Sequence, residues 1–334
     1  MRDAVIRGAV SRWMGHATQE MIVLAIAVVL FVLFAATLPR FAALDNLLAL
    51  VRNVSILGML SAGMALTVIG RGIDLSLVAI MATSVAWMLL MLASGTPPHV
   101  AVAVALAFAM LIGAVNGVLI AYVEIPAVFT TLAMGGLVYG LGRFALISVD
   151  IVNLPPGQDW LRTFGAGSTL GIPTPVIIFA LVCILAGLFL RYVKAGRFIY
   201  AAGDNPAAAR ITGVPLRPLI VLQYVLSALI CFVAGLVMAA NVDSMNTRIV
   251  NSTLVYDVIL VVVLGGIGLG GGKGGIRNVV VGTLLIGILL NGMTIMNVPF
   301  LMQNIIKGVI LLAAIVADTL LNPRDEQTSQ QGDI

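Results

Sequence analysis

Apolar runs of about twenty residues follow one another along most of this chain, each interrupted by few polar positions. A run of that length matches a helix crossing a hydrocarbon layer about 30 Å thick. Ten candidate spans lie near residues 21–38, 47–69, 75–94, 99–122, 127–148, 174–192, 218–240, 252–267, 277–297 and 300–320. Segments 47–69 and 252–267 are the least ideal, which leaves eight or nine spans as alternatives. Of 334 residues, 61% are hydrophobic and 10% are charged, against roughly 25% charged in a soluble domain. Lipid, not water, is therefore the expected solvent of the fold. In lipid every backbone N–H and C=O must be satisfied within the segment, and that requirement selects helices. The expected fold class is all-α, polytopic and membrane-embedded. The run Met21–Leu38 exceeds the roughly 7–15 residues of a signal-peptide core, so it reads as a retained first helix.

The cations set the orientation. With ten spans, one side collects Arg2, Arg7, Arg12, Arg71, Arg191, Lys194, Arg197, Arg210, Arg217, Lys273, Arg277 and Arg324. The other side holds Arg40, Arg162 and Arg248. Excess Lys and Arg mark the cytoplasmic side, so both termini are expected there. The chain divides into a polar cytoplasmic segment over 1–20, a transmembrane domain over 21–320 and a polar tail over 321–334 expected to be disordered. The net charge of +4 then serves topology and gives no reason to expect nucleic acid. Cys183 and Cys231 lie inside apolar runs, and His16 and His99 stand alone. Neither a disulfide framework, a metal centre nor a cofactor is expected from them.

Between spans six and seven lies a basic island, residues 191–218, with five cations and the single acid Asp204. Its centre reads Gly203-Asp204-Asn205-Pro206-Ala207-Ala208-Ala209-Arg210-Ile211-Thr212-Gly213. Asn205 suits an N-cap, and Pro206 suits the first helical position, where its missing N–H costs nothing. Three alanines favour helix. Gly213 suits the left-handed position after the last turn, and Pro215 stops the run. The pattern predicts a two-turn helix over about 206–212, roughly 10 Å long. Capping at both ends on a basic loop reads as a docking handle, against the plainer alternative of an interhelical turn.

Asp74 is the acid of greatest interest. Gly70 and Gly72 precede it, where a helix is expected to break, and its carboxylate can cap the helix starting near Ser76. An acid at membrane depth is costly unless it caps, pairs or serves a function; Arg71 is the nearest candidate for a pair, the alternative being that Arg71 anchors the interface. Asn116, Thr130, Thr131, Asn291 and Gln303 offer uncharged hydrogen-bonding groups inside spans, suited to a polar solute pathway or to bonds between helices. Asp257 and Lys307 can neutralise each other only if spans eight and ten touch. Asn116-Gly117 before Ile125-Pro126, and Asn291-Gly292 before Val298-Pro299, recur five spans apart. An odd offset is the mark of an inverted repeat. The glycine-rich run 265–275 is not a phosphate-binding P-loop, since Lys273 is followed by Gly274 and Ile267 stands six residues before it. It reads as a tight turn instead.

The loop resembles the coupling loop of permeases in ATP-binding-cassette importers. Their pattern is Glu-Ala-Ala, three residues, then Gly; here it is Ala207-Ala208-Ala209, three residues, then Gly213, without the glutamate. More closely, the chain is similar to the ribose-type (monosaccharide) permeases. Residues 70–76, Gly-Arg-Gly-Ile-Asp-Leu-Ser, resemble that family's Gly-Gly-Ile-Asp-Leu-Ser signature. Val263-Leu264-Gly265-Gly266 with Leu269, Gly271, Gly272 and Gly274 resembles its glycine-rich turn, and Gly282-Thr283, Asn291-Gly292 and Gln303 fit downstream. Val255, two residues before Asp257, stands where relatives commonly carry an acid. The similarity implies a bacterial inner-membrane sugar or polyol permease with no catalysis of its own. It further implies two ATP-binding subunits docked at Gly203, Asp204, Asn205, Ala208, Ala209, Arg210 and Gly213. A second permease copy or homologue and an extracytoplasmic sugar-binding protein would complete the assembly. The alternatives are an ion-coupled transporter using Asp74 or Asp257, and a passive solute channel.

Overall fold

The computed structural model describes residues 19–169 and 171–321; the expectations for the N-terminal segment before residue 19 and for the tail beyond residue 321 lie outside these. Thirteen α-helices carry the described chain. Seven include a stretch long and apolar enough to cross a membrane. They are α1 (Gln19–Thr37), α2 (Leu44–Ile69), α4 (Pro98–Ala121), α5 (Ala127–Leu141, continued by a π-helical turn Gly142–Leu146), α7 (Thr174–Tyr192), α10 (Leu216–Asn241) and α12 (Ile276–Ile295). Three apolar helices fall short of that length: α3 (Leu77–Ala93), α11 (Leu254–Leu264) and the apolar part of α13 (Phe300–Leu321). These ten helices stand where the ten apolar runs lie. The polytopic all-α class holds, while the count of complete crossings rests at seven long helices and three short ones. The glycines explain the short α11: Gly265 caps it, and Gly266 at φ 94° turns the chain away.

Helix α10 lies at the centre, packed on α2, α3 and α4; α2 in turn packs on α7, α11 and α12. The most extensive helix contact is between α4 and α10. A Cβ at Gly113 would sit 2.5 Å from the carbonyl oxygen of Tyr224, and one at Gly117 would sit 2.5 Å from the Cα of Val221. These glycines, four residues apart on one helix face, let two backbones meet where lipid supplies no hydrophobic drive between helices. The packing also repeats. α4 on α10 is matched by α12 on α2, α3 on α10 by α11 on α2, α3 on α4 by α11 on α12, and α3 on α5 by α11 on α13. The offset is that of the two Asn-Gly pairs, five apolar helices.

The chain leaves the all-helical plan at the face where α10 ends. There β1 (Ile151–Asn153) pairs antiparallel with β4 (Ser244–Asn246), and β2 (Ser168–Thr169) pairs with β3 (Ile172–Pro173). A short helix α6 (Asp159–Ala166) lies between β1 and β2. Asp150 tightens this cap by meeting Arg143 at 2.7 Å and Arg248 at 2.6 Å, and Arg162 meets Asp243 at 2.9 Å. On the opposite face the basic island forms two helices where one was expected: α8 (Lys194–Asp204) and α9 (Pro206–Ile211).

A side chain at Gly117 must force α4 and α10 apart. Overpacking of this kind costs about 1–3 kcal/mol, so Gly117→Leu is expected to lower the melting temperature of the detergent-purified protein. Gly136→Leu, where a Cβ meets nothing within 4 Å, is the matched control and should melt with the wild type.

Candidate functional site

Residues 70–76 break the path from α2 to α3 inside the bundle, and a non-helical segment at that depth must have its polar groups met by side chains. Asp74 is fully buried and collects three of the donors. Its Oδ1 accepts from the Ser76 N–H at 3.0 Å and from the Ser76 hydroxyl at 2.6 Å, and its Oδ2 accepts from the Ser227 hydroxyl of α10 at 3.0 Å. Asn116 of α4 donates to the Ser76 hydroxyl at 2.9 Å. The Thr131 hydroxyl of α5 accepts from the Leu75 N–H at 3.1 Å. It has one proton to give, with the carbonyls of Ala127 at 2.8 Å and Ile73 at 3.1 Å. Tyr224 of α10 donates to the Ile73 carbonyl at 3.4 Å. One seven-residue segment thus gathers α3, α4, α5 and α10 into a polar knot.

Arg71 does not pair with Asp74. It turns to the face bearing α8 and α9, where its Nε lies 2.7 Å from the Gly203 carbonyl and 2.9 Å from the Gly270 carbonyl. An Nη of the same guanidinium donates to the Asp204 carbonyl at 2.9 Å. The Gly272 N–H adds a bond to the Ile69 carbonyl at 2.8 Å. Tyr200 of α8 donates to the Gly274 carbonyl at 2.8 Å, and burial pushes its phenol above the ordinary value, which keeps that donor protonated. Three segments distant in sequence therefore meet: the turn at 70–72, the elbow at 203–205 and the glycine-rich turn at 265–275.

Beyond the elbow, α9 has the capping the sequence predicts. The Asn205 side chain accepts from the Ala208 N–H at 2.9 Å, and Pro206 opens the helix. At its end the Val214 N–H reaches the Ala209 carbonyl at 3.0 Å and the Gly213 N–H reaches the Arg210 carbonyl at 3.1 Å, with Gly213 at φ 84°. This is a Schellman closure. Ala209 faces inward, while Ala208 and Arg210 are exposed and Ile211, at 87% exposure, projects an apolar side chain from a polar loop. A cavity of about 380 Å³ opens between α9, the 70–73 turn and the adjoining ends of α4, α5 and α10. Ile73, Ile120, Val128, Gln223 and Tyr224 line it. Gln223 is buried, and its Nε2 has no hydrogen-bond partner among the described residues.

The six pathway candidates do not form one lining. Asp74, Asn116 and Thr131 share the knot. Thr130 is buried beside it, 3.5 Å from the Ile125 carbonyl. Asn291 exchanges bonds with Asn46 at 3.0 and 3.1 Å and so ties α12 to α2. Gln303 donates to the Val298 carbonyl at 2.9 Å at the start of α13. Helices α11 and α13 do touch, and Lys307 meets Asp257 at 2.7 Å with both side chains nearly buried. Ser227 and Tyr224 were not singled out from the sequence; one hydroxyl in an apolar helix carries no sign of which way it faces.

The family described as branched-chain amino acid transport system / permease component matches residues 46–315, a stretch that contains the knot, the elbow and α9. The chain belongs to that permease family. It is 33% identical over 295 residues to the ribose import permease protein RbsC of Escherichia coli strain K12, covering 88% of this chain and 92% of the relative. It is 36% identical over 263 residues to the galactofuranose transporter permease protein YtfT of the same strain, covering 78% and 76%. The L-arabinose transport system permease protein AraH, also from that strain, is 32% identical over 297 residues, covering 88% and 89%. No solved structure matches the chain. As a permease it is a multi-pass membrane component, and the ribose-type resemblance of residues 70–76 and 263–274 agrees with these relatives.

In the permease, removing the Asp74 carboxylate strands a backbone N–H and two hydroxyl donors. An unmet buried donor costs about 1–3 kcal/mol. Asp74→Ala is expected to lower the melting temperature of the purified permease more than Asp74→Asn, which keeps one carbonyl acceptor. Wild-type melting of Asp74→Ala would show that the knot does not hold the segment.

Proposed function

We propose that the chain is the transmembrane permease subunit of an ATP-driven importer for a monosaccharide or related polyol. The observation that carries this reading is the doubly capped helix α9, set on a basic loop and fastened through the elbow to the bundle. A short, rigid element with exposed Arg210 and Ile211 suits docking on a separate ATPase. The printed names of the relatives, permeases for ribose, galactofuranose and L-arabinose, support the substrate class. In the cavity Gln223 and Tyr224 offer an amide and a hydroxyl to sugar hydroxyls, alongside the charged Arg71, Glu124, Arg210 and Arg217 that also line it.

In this reading the face bearing α8 and α9 is cytoplasmic, both termini lie on that side, and the protein resides in the bacterial inner membrane. Residues 21–320 form the permease domain, with 191–218 as its coupling loop and 1–20 and 321–334 as cytoplasmic segments. Two ATP-binding subunits dock on α9 of this chain and of a second permease copy or homologue. An extracytoplasmic sugar-binding protein delivers solute to the opposite face, where the β1–β4 cap and exposed Arg162 and Arg248 lie. ATP binding draws the two ATPases together. The motion enters the bundle through α9 and switches access to the pathway from one side to the other. The cavity under α9 is the cytoplasmic end of that pathway. The ion-coupled alternative is disfavoured because both acids it needs are engaged, Asp74 by three donors and Asp257 by Lys307.

Ala208→Pro removes the N–H that the Asn205 side chain caps and disfavours helical geometry at Ala207, which unwinds the start of α9 while leaving the apolar helices untouched. The variant is expected to insert in the membrane at wild-type levels and to lose ATP-dependent sugar uptake in cells. Undiminished uptake would remove the docking role. Uptake that survives ATP depletion while an ion gradient is held would favour an ion-coupled transporter.

A further inference from the structure

We infer that Arg71 is the positioning residue that carries movement of the docking helix into the Asp74 knot. The inference rests on the coupled-importer reading above and adds the route by which force travels.

Arg71 sits at φ 68°, a left-handed conformation that an L residue with a long side chain rarely adopts. Glycine would take that conformation freely, so the side chain is retained against a local penalty. What the conformation achieves is direction. It points the guanidinium out of the 70–76 segment toward three carbonyls, those of Gly203, Asp204 and Gly270. Gly203 and Asp204 are the last two residues of α8, and the next residue, Asn205, is the N-cap of α9. A planar fork of donors is suited to this; an ammonium on a flexible stem is not.

The elbow has no freedom to slide past the turn. A Cβ on Gly203 would collide with the Ile69 carbonyl, and one on Gly272 would sit 2.7 Å from the Cα of Asp204. The Gly272 N–H bonds the Ile69 carbonyl at 2.8 Å, so the glycine-rich turn closes the joint from the other side. A displacement of α9 must therefore drag Arg71 with it. Three residues further on, Asp74 holds α3 through Ser76 and α10 through Ser227, with α4 joined through Asn116. The path is short and continuous: α9, elbow, Arg71, residues 72–74, then three helices of the bundle. The covalent route from α9 to α10 through residues 212–215 reaches only one of them.

A plain structural fastener would occupy the same place, so the test must read coupling and not only stability. The permease, co-expressed with the ATPase that purifies with it, is reconstituted in liposomes with its sugar-binding protein, and sugar taken up per ATP hydrolysed is measured. Arg71→Gly allows the backbone conformation and deletes the whole side chain, guanidinium included. It is expected to retain the ATPase and its hydrolysis while uptake per ATP falls about tenfold, within the 5–150-fold typical of coupling between sites. Arg71→Lys keeps the charge without the fork and should lose uptake per ATP to a smaller degree. It also serves as the reading if Arg71→Gly fails to accumulate. An unchanged ratio in either variant, even with a lowered melting temperature, overturns the inference. Failure of the importer reading looks different: the wild type itself would bind no ATPase or take up sugar without ATP.

Discussion

The constraint on which the structure depends is the cost of an unsatisfied backbone group away from water. A helix meets that cost internally, so most of the chain needs no special chemistry. Between α2 and α3 the helix breaks, and seven residues must find partners elsewhere. Asp74, Ser76, Asn116, Thr131, Tyr224 and Ser227 supply them. Because four of those side chains come from three other helices, α4, α5 and α10, satisfying one short segment also fixes how those helices stand to one another. Asp74 does this as a hub of hydrogen bonds and not as an ion-pair partner.

The same break joins the bundle to the face bearing α8 and α9. Residues 70–72 look outward to the elbow and the glycine-rich turn; residues 73–76 look inward to the knot. The glycines matter because backbones meet there, which brings the Gly203, Asp204 and Gly270 carbonyls within reach of Arg71. Meanwhile the packing of α4 on α10 and α12 on α2 places the two longest helices, α2 and α10, at the centre of two similar halves. A movement entering at the 70–76 segment thus arrives where both halves meet.

Features set by near neighbours were legible in the sequence. The caps of α9 depend on Asn205, Pro206 and Gly213, all within a few residues of the helix they close, and all behave as their chemistry dictates. Asp74 stood out because an acid is rare in such surroundings, and its bond to Ser76 is local. Long-range partners were not legible. The carbonyls that receive Arg71 lie 132, 133 and 199 residues away and, as backbone groups, offer no side-chain signal. Ser227 looked ordinary because an apolar helix without a polar stripe does not reveal which face is turned inward. Helix α8 was missed because its glycines and charges resemble a loop until its buried face, including Ile199 and Ala202, is seen against the bundle. The β1–β4 cap escaped the all-α expectation for a similar reason: a three-residue strand is defined by its partner.

The proposed function turns on the permease having no motor of its own and borrowing one through α9. The most direct measurement is sugar accumulation in liposomes that contain the purified permease alone, compared with liposomes that contain it with its ATPase, binding protein and ATP. Accumulation against a gradient is expected only in the second preparation. Accumulation by the isolated permease, without nucleotide or accessory subunits, would contradict the proposal.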